Sequence, residues 1–164
     1  MTCAESGLLQ VRWSAGVVDE AVRAIVRISP GLDEATVGRR FAAMDAALPG
    51  SFVSDGRVVI DCDGFPDPDD QHVVASAVSC GADVVVTANV RDFPKELMAG
   101  FGLTVMSPDD LLLSLLKENT ASVLTVVIAV AAALHHPARS VEDILTILGR
   151  SGAPGFAAGV RRLL

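Results

Sequence analysis

The chain has 164 residues, with 20 acids against 13 bases and a formal net charge of −7. That length fits one domain, and a hydrophobic share of 51% can fill a real core. Charged residues reach 20%, which excludes a disordered chain, and aromatics only 4% with no tyrosine, which argues against stacking platforms for single-stranded nucleic acid. The acidic balance argues against a standing basic nucleic-acid surface but is compatible with an acid cluster that recruits cations.

Cys3, Cys62 and Cys80 are far apart and form no CxxC pair, so neither a disulfide framework nor a zinc knuckle is supported. A reduced, cytoplasmic setting is the plain reading. No basic, apolar leader heads the chain. The longest apolar run, Val123 to Leu134, is 12 residues long, too short to span a bilayer. The bases are scattered. The acids are not: five of the twenty fall between Asp61 and Asp70 with no base among them.

Leu8 to Trp13 (LLQVRW) is short and apolar and predicts a strand. Ser14 suits an N-cap, and Val17, Val18, Ala21, Val22, Ile25 and Val26 give an amphipathic helix that Pro30-Gly31 ends. A second helix is predicted over Asp33 to Leu48. Ser51 to Ile60 holds two β-like pieces, SFV and RVVI. Asp67-Pro68-Asp69-Asp70 is a strong helix start, because Asp caps, Pro fits the first helical position and acids favour the positive end of the dipole. Val73, Val74, Ala77 and Val78 form its inward face, and Gly81 follows it. Asp83 to Thr87 (DVVVT) has the β-branched pattern of a parallel strand buried on both faces.

The loop ANVRDFP leads into a short helix near Lys95 to Ala99, and Leu103 to Met106 is a further short strand. Ser107-Pro108-Asp109-Asp110 repeats the cap-plus-proline start before an amphipathic helix that runs to Leu116. Beyond Lys117 the pattern is helical only: Thr120 to Leu134, Ser140 to Leu148 with Ser140 and Asp143 as a capping box, and Pro154 to Leu164. Alternating strands and helices up to residue 116 imply an α/β layered sheet with right-handed crossovers. Residues 117–164 read as a helical extension packed on it.

In a parallel α/β sheet the carboxyl ends of the strands and the N-termini of the following helices share one edge, where ligands bind. Glu20, Asp69, Asp70, Thr87, Asn89 and Asp92 fall on that edge. Gathered carboxylates repel one another, and such a site normally holds a hard divalent cation, Mg²⁺ or Mn²⁺. Near a phosphodiester, such an ion activates water and stabilises the leaving oxygen. Each residue also has a plainer role. Asp67, Asp69 and Asp70 serve as capping and dipole residues, Glu20 as a solvated charge and Asp92 as a turn residue; His72, two residues from Asp70, is placed to face the site but reads first as a helix-surface histidine. Asp61 and Asp63 begin like a calcium loop, but the later positions do not follow. His135-His136 suits a helix C-terminus.

Three segments together carry a resemblance: RWSAGVVDE (12–20), PDPDDQHVVASAVSCGADVVVTANVRDFP (66–94) and LTVMSPDDLLLSLL (103–116). They resemble the PIN-domain nucleases, most nearly the bacterial branch with a helical C-terminal extension that includes VapC-like toxins. The resemblance implies a three-layer α/β/α fold with a parallel sheet and Mg²⁺- or Mn²⁺-dependent cleavage of RNA. It implies Glu20, Asp70 and Asp92 as catalytic, metal-holding acids, with Asp69, Thr87 and Asn89 as secondary candidates. It also implies an antitoxin partner.

One departure stands out. The family's first strand, which carries its first aspartate and lies centrally between the strands matching LLQVRW and DVVVT, has no counterpart here. The expected fold is therefore an N-terminally incomplete PIN-like domain over 1–116. A misplaced start, a split protein completed by β-addition from a small partner, an inactive remnant and a rearranged homodimer remain open. The rival reading is a catalytically inactive PIN-like scaffold that binds a small partner or antitoxin.

Overall fold

A computed structural model describes residues 2–54, 64–135 and 137–164. The RVVI piece, Asp61, Cys62, Asp63 and His136 lie outside the described residues. The chain divides into two compact units. One comprises residues 10–85 and 91–104; the other comprises 1–9, 86–90 and 105–164.

The first unit begins with β1 (Trp13–Ser14), followed by α1 (Ala15–Ile28) and α2 (Glu34–Ala47). Ser14 caps α1 by accepting from the Val17 N–H, and Asp33 caps α2 by accepting from the Thr36 N–H at 2.6 Å. β2 (Phe52–Val53) pairs with β1 in parallel, Trp13 opposite Phe52 and Ser14 opposite Val53. Asp67 then caps a single 3-10 turn over Pro68–Asp70, which runs directly into α3 (Gln71–Ser79). α3 packs against both α1 and β1. Its buried residues are Val74, Ala75, Ser76 and Ala77, so Val73 and Val78 flank the inward face instead of forming it. Gly81 takes φ +66°, the left-handed conformation that closes a helix end.

Two expectations need correction here. The strand over Leu8–Trp13 contracts to β1. With only the two-residue β2 beside it, the earlier residues have no ladder to join, and Leu8 and Leu9 pack instead into the helical core of the other unit. Nor is β3 (Val84–Val86) buried on both faces: Val85 is 5% exposed but Val86 is 45% exposed. Its neighbour is β4 (Thr104–Met106), which pairs with it in parallel. The Asp83 carbonyl accepts from the Thr104 N–H, and the Met106 carbonyl from the Thr87 N–H. Among the described residues the strands thus form two small sheets, β1–β2 and β3–β4. Mixed helices and small parallel sheets are compatible with the α/β class; among the described residues the two sheets are not joined into one. α4 (Lys95–Gly100) precedes β4 and buries Met98 completely.

The second unit is helical: α5 (Pro108–Glu118), α6 (Thr120–Ala133), α7 (Val141–Arg150) and α8 (Pro154–Arg161). Leu115, Leu116, Val123, Leu145, Phe156 and Val160 form the centre of its core. The capping box of α7 is present as expected, with Ser140 and Asp143 satisfying each other's backbone N–H groups. α8 begins at Pro154 and has no side-chain cap of its own. The Asp109 carboxylate supplies one from α5, accepting from the Gly155 N–H at 2.9 Å and the Phe156 N–H at 2.7 Å. Among the described residues no single helix is long and apolar enough to cross a membrane.

Candidate active site

The acids predicted from sequence meet in the first unit. Glu20 sits in the second turn of α1, Asp70 closes the 3-10 turn ahead of α3, and Asp92 ends a second 3-10 turn, Val90–Asp92. The local sequence dictates these positions. Pro68 lacks an N–H and starts the turn without loss, and the Asp67 carboxylate accepts from the Asp69 N–H at 2.9 Å. That leaves the Asp70 side chain unused as a cap, and none of its oxygens takes a capping hydrogen bond from α3.

The electrostatics of Asp70 tie the group together. Partial burial pushes its carboxyl above the usual carboxylate range. The charges of Asp67, Asp92 and Glu20 push it further, and His72 opposes them. Four acids from three separate stretches of sequence therefore share one electrostatic neighbourhood. Charging Asp70 is unfavourable there unless a cation is present.

His72 is partly exposed, its side chain 28% accessible, while its Nε2 atom is shielded from solvent. Nδ1 lies 2.7 Å from the Asp69 carbonyl oxygen, and Nε2 lies 3.6 Å from a Glu20 carboxylate oxygen. The packing of α1 on α3 brings the last two together. The usable signal was position: His72 follows Asp69 by three residues across the start of a helix, where its ring reaches back to the Asp69 carbonyl. Asp67 was likewise read only as a cap, yet its charge also bears on Asp70.

Asp69 is exposed. Thr87 and Asn89 lie in the other unit, where the Thr87 hydroxyl accepts from the Asn89 N–H at 3.0 Å. A cleft of about 240 Å³ lined by Leu113, Leu116, Lys117 and Arg162 also belongs to that unit and contains no acid.

As a test of fit for a divalent ion, the donors are hard oxygens of the right kind, and the raised Asp70 carboxyl marks where positive charge is needed. They are near one another without being clamped together: among the described residues no three His, Cys, Asp or Glu side chains form a ready ligand set. Mg²⁺-type ions keep several waters and take only one or two carboxylates from the protein, so a loose set is compatible with them.

Residues 108–162 match the family described as the VapC50 C-terminal domain. That match is confined to the C-terminal part of the chain. One relative is the "Putative ribonuclease VapC50" of Mycobacterium tuberculosis (strain ATCC 25618 / H37Rv), 34% identical over 94 residues. The aligned part is 57% of this chain and 55% of that protein, so the chain spans about half the length of the relative it matches. No solved structure matches the chain significantly. The matched family segment, 108–162, holds none of Glu20, Asp70 and Asp92. The case for chemistry therefore stands on the acid geometry.

Proposed function

We propose that the chain is a divalent-metal-dependent endoribonuclease of the PIN toxin type, in which Glu20, Asp70 and Asp92 hold Mg²⁺ or Mn²⁺. The observation that carries this reading is the Asp70 carboxyl, pushed up by burial and by three neighbouring acids. Such a group is costly to ionise in the bare protein and favourable beside a cation. When bound, the ion supplies Lewis acidity and a water of lowered pKa for in-line attack on a phosphodiester.

The protein's own residues do the positioning. α1 and α3, packed together, fix Glu20 and Asp70 on two rigid elements, and the Val90–Asp92 turn brings Asp92. Asp69 is a lesser candidate at the same edge. Thr87 and Asn89 stay as secondary candidates by sequence position and belong to the other unit.

A further strand carrying one more aspartate, from a segment outside these 164 residues or from a small partner chain, completes the sheet in this reading. The support is that β1 has β2 and β3 has β4, with no strand joining the two pairs among the described residues. Open strand edges are where β-addition occurs. In the same reading the protein is cytoplasmic, residues 1–116 carry the nuclease part, and an antitoxin or a second copy of the chain is its partner.

The test is cleavage of a labelled RNA in Mn²⁺ or Mg²⁺, with EDTA as control, by the chain alone and with a synthetic strand peptide. The expected result is metal-dependent cleavage that Asp70→Asn lowers at least 100-fold. No Mn²⁺ binding and no cleavage under any completion would favour the rival scaffold reading. Cleavage insensitive to EDTA and to Asp70→Asn would refute the nuclease site.

A further inference from the structure

The helices from residue 108 onward carry none of Glu20, Asp70 and Asp92, and what they offer a ligand is a cleft of about 240 Å³. Two helix faces wall it. α5 contributes Leu113, Leu116 and Lys117, which share one face at i, i+3 and i+4. Gly159 of α8, with Arg162 and Leu163 just beyond that helix, repeats the same spacing. Gly159 lets the two faces approach without filling the space between them, since a Cβ there would stand 3.0 Å from Leu116 Cδ2. The volume lies below the range of about 300–1,000 Å³ usual for small-molecule and cofactor pockets. It suits an apolar side chain or two presented by another chain, as at the anchor points of protein interfaces.

The rim decides what else that chain must carry. Thr120 completes the wall, but its hydroxyl already donates to the Leu116 carbonyl at 2.7 Å. The two arginines that end α8 differ in their partners. Arg161 grips Glu142 of α7, with Nη2 at 2.6 Å from one carboxylate oxygen, and also reaches Thr146. Arg162 lines the cleft instead, and neither it nor Lys117 has an ion pair among the described residues. No acid lines the cleft. Two unpaired cations over a leucine floor, in a chain of net charge −7, complement a segment that combines an apolar anchor with carboxylates. RNA fits less well: no aromatic ring lines the cleft for a base to stack on, and two cations make a short track for a phosphate backbone.

We propose that this cleft is the docking site for an acidic amphipathic helix of a partner protein. The helix seats a leucine-type side chain on Leu113 and Leu116 and sets carboxylates beside Lys117 and Arg162. The surface uses none of the residues assigned to the nuclease site, so the two readings stand or fall separately.

The experiment is a nuclear magnetic resonance titration of the ¹⁵N-labelled 164-residue chain with a synthetic helical peptide of leucine, alanine and glutamate. The expected result is saturable amide shifts centred on Lys117, Thr120, Gly159 and Arg162, with a Kd below about 1 mM that rises with salt. Serine in place of the peptide's leucines abolishes the shifts, and lysine in place of its glutamates weakens binding about tenfold. Lys117→Glu together with Arg162→Glu reverses that preference, so the lysine peptide then binds the tighter of the two. Both residues are exposed, so the exchange leaves the fold intact, and the amide spectrum itself reports this. No saturable shift up to about 1 mM, shifts centred elsewhere, or equal binding of the two peptides would overturn the proposal. So would failure of the charge exchange to reverse the preference. An oligoribonucleotide that shifts the same amides at lower concentration would assign the cleft to RNA, and shifts that grow with protein concentration alone would assign it to a second copy of the chain; either result overturns the partner-helix reading.

Discussion

Asp109→Ala removes a single carboxylate that holds the start of a helix 46 residues away in sequence. α8 begins with Pro154, which has no N–H, so the first free donors of the helix are those of Gly155 and Phe156. Asp109 takes both, at 2.9 and 2.7 Å, one on each oxygen. Losing a helix cap costs about 0.5–2 kcal/mol, and the favourable pairing of a negative charge with the dipole adds about 0.3–1. Partly buried donors left without partners cost about 1–3 kcal/mol, which overlaps the cap figure. The sum without double counting is about 1–3 kcal/mol. For a chain of this size that lowers Tm by about 2–12 °C. Asp109→Asn keeps one acceptor but loses the charge, and an amide NH₂ then faces the second N–H; it should forfeit about half as much. The assay is thermal and urea unfolding followed by far-ultraviolet circular dichroism. A loss below about 0.5 kcal/mol for the alanine variant would show that α8 is held by the burial of Phe156, Ala157 and Val160 alone and would refute the reasoning.

Three other outcomes follow from the same structure. In Gly155→Ala the new Cβ would sit 2.7 Å from Asp109 Oδ2 and 3.1 Å from Leu113 Cδ1, so it destabilises despite alanine's helix propensity advantage of about 1 kcal/mol; the cost shrinks in an Asp109→Ala background, read by a double-mutant cycle. Ser140→Ala breaks the capping box of α7 and costs about 1 kcal/mol in urea unfolding, and a variant as stable as the parent would show the box is not needed. Asp70→Asn stabilises the metal-free chain at neutral pH while abolishing cleavage. Because the folded-state carboxyl is raised, the native state prefers it protonated. That contribution to stability is present below the ordinary carboxylate range and is lost as pH rises through the folded value. The gain in Tm should therefore appear at pH 7 and vanish near pH 3; a gain equal at both would point to a cause other than charge.

The helices were readable because each carries its own punctuation. Ser14, Asp33, Ser107 and Ser140 all cap where a short polar side chain precedes an apolar pattern, and the structure starts a helix at each. The strands were not readable to the same degree, because a strand is defined by its neighbours. LLQVRW has the composition of a strand, yet only its last residue joins one, since β2 offers two residues to pair with. DVVVT has the composition of a strand covered on both faces, but Val86 is exposed. At the site, Glu20, Asp70 and Asp92 were legible as types and positions. Their shared electrostatic neighbourhood, and the turn of the His72 ring toward Glu20, depend on how α1 packs on α3, which no local pattern encodes.

The segment that matches a known family and the segment that carries the acids are different stretches of chain. The matched helices are fixed by devices of pure stability: a capping box, a carboxylate holding another helix's start, and glycines where a Cβ would press on Asp109 or Leu116. None of them bears on chemistry. The acid group shows the opposite character, because Asp70 is held where its charge is unfavourable, and a site that gives up stability in this way is paid for elsewhere in the fold. Variants should divide accordingly. Asp109 and Ser140 changes alter melting and leave Mn²⁺ binding as it was. Glu20 and Asp70 changes alter Mn²⁺ binding and leave melting the same or raise it. A substitution at Asp70 that lowered stability at neutral pH would mean the acids are structural, and the nuclease reading would lose its footing.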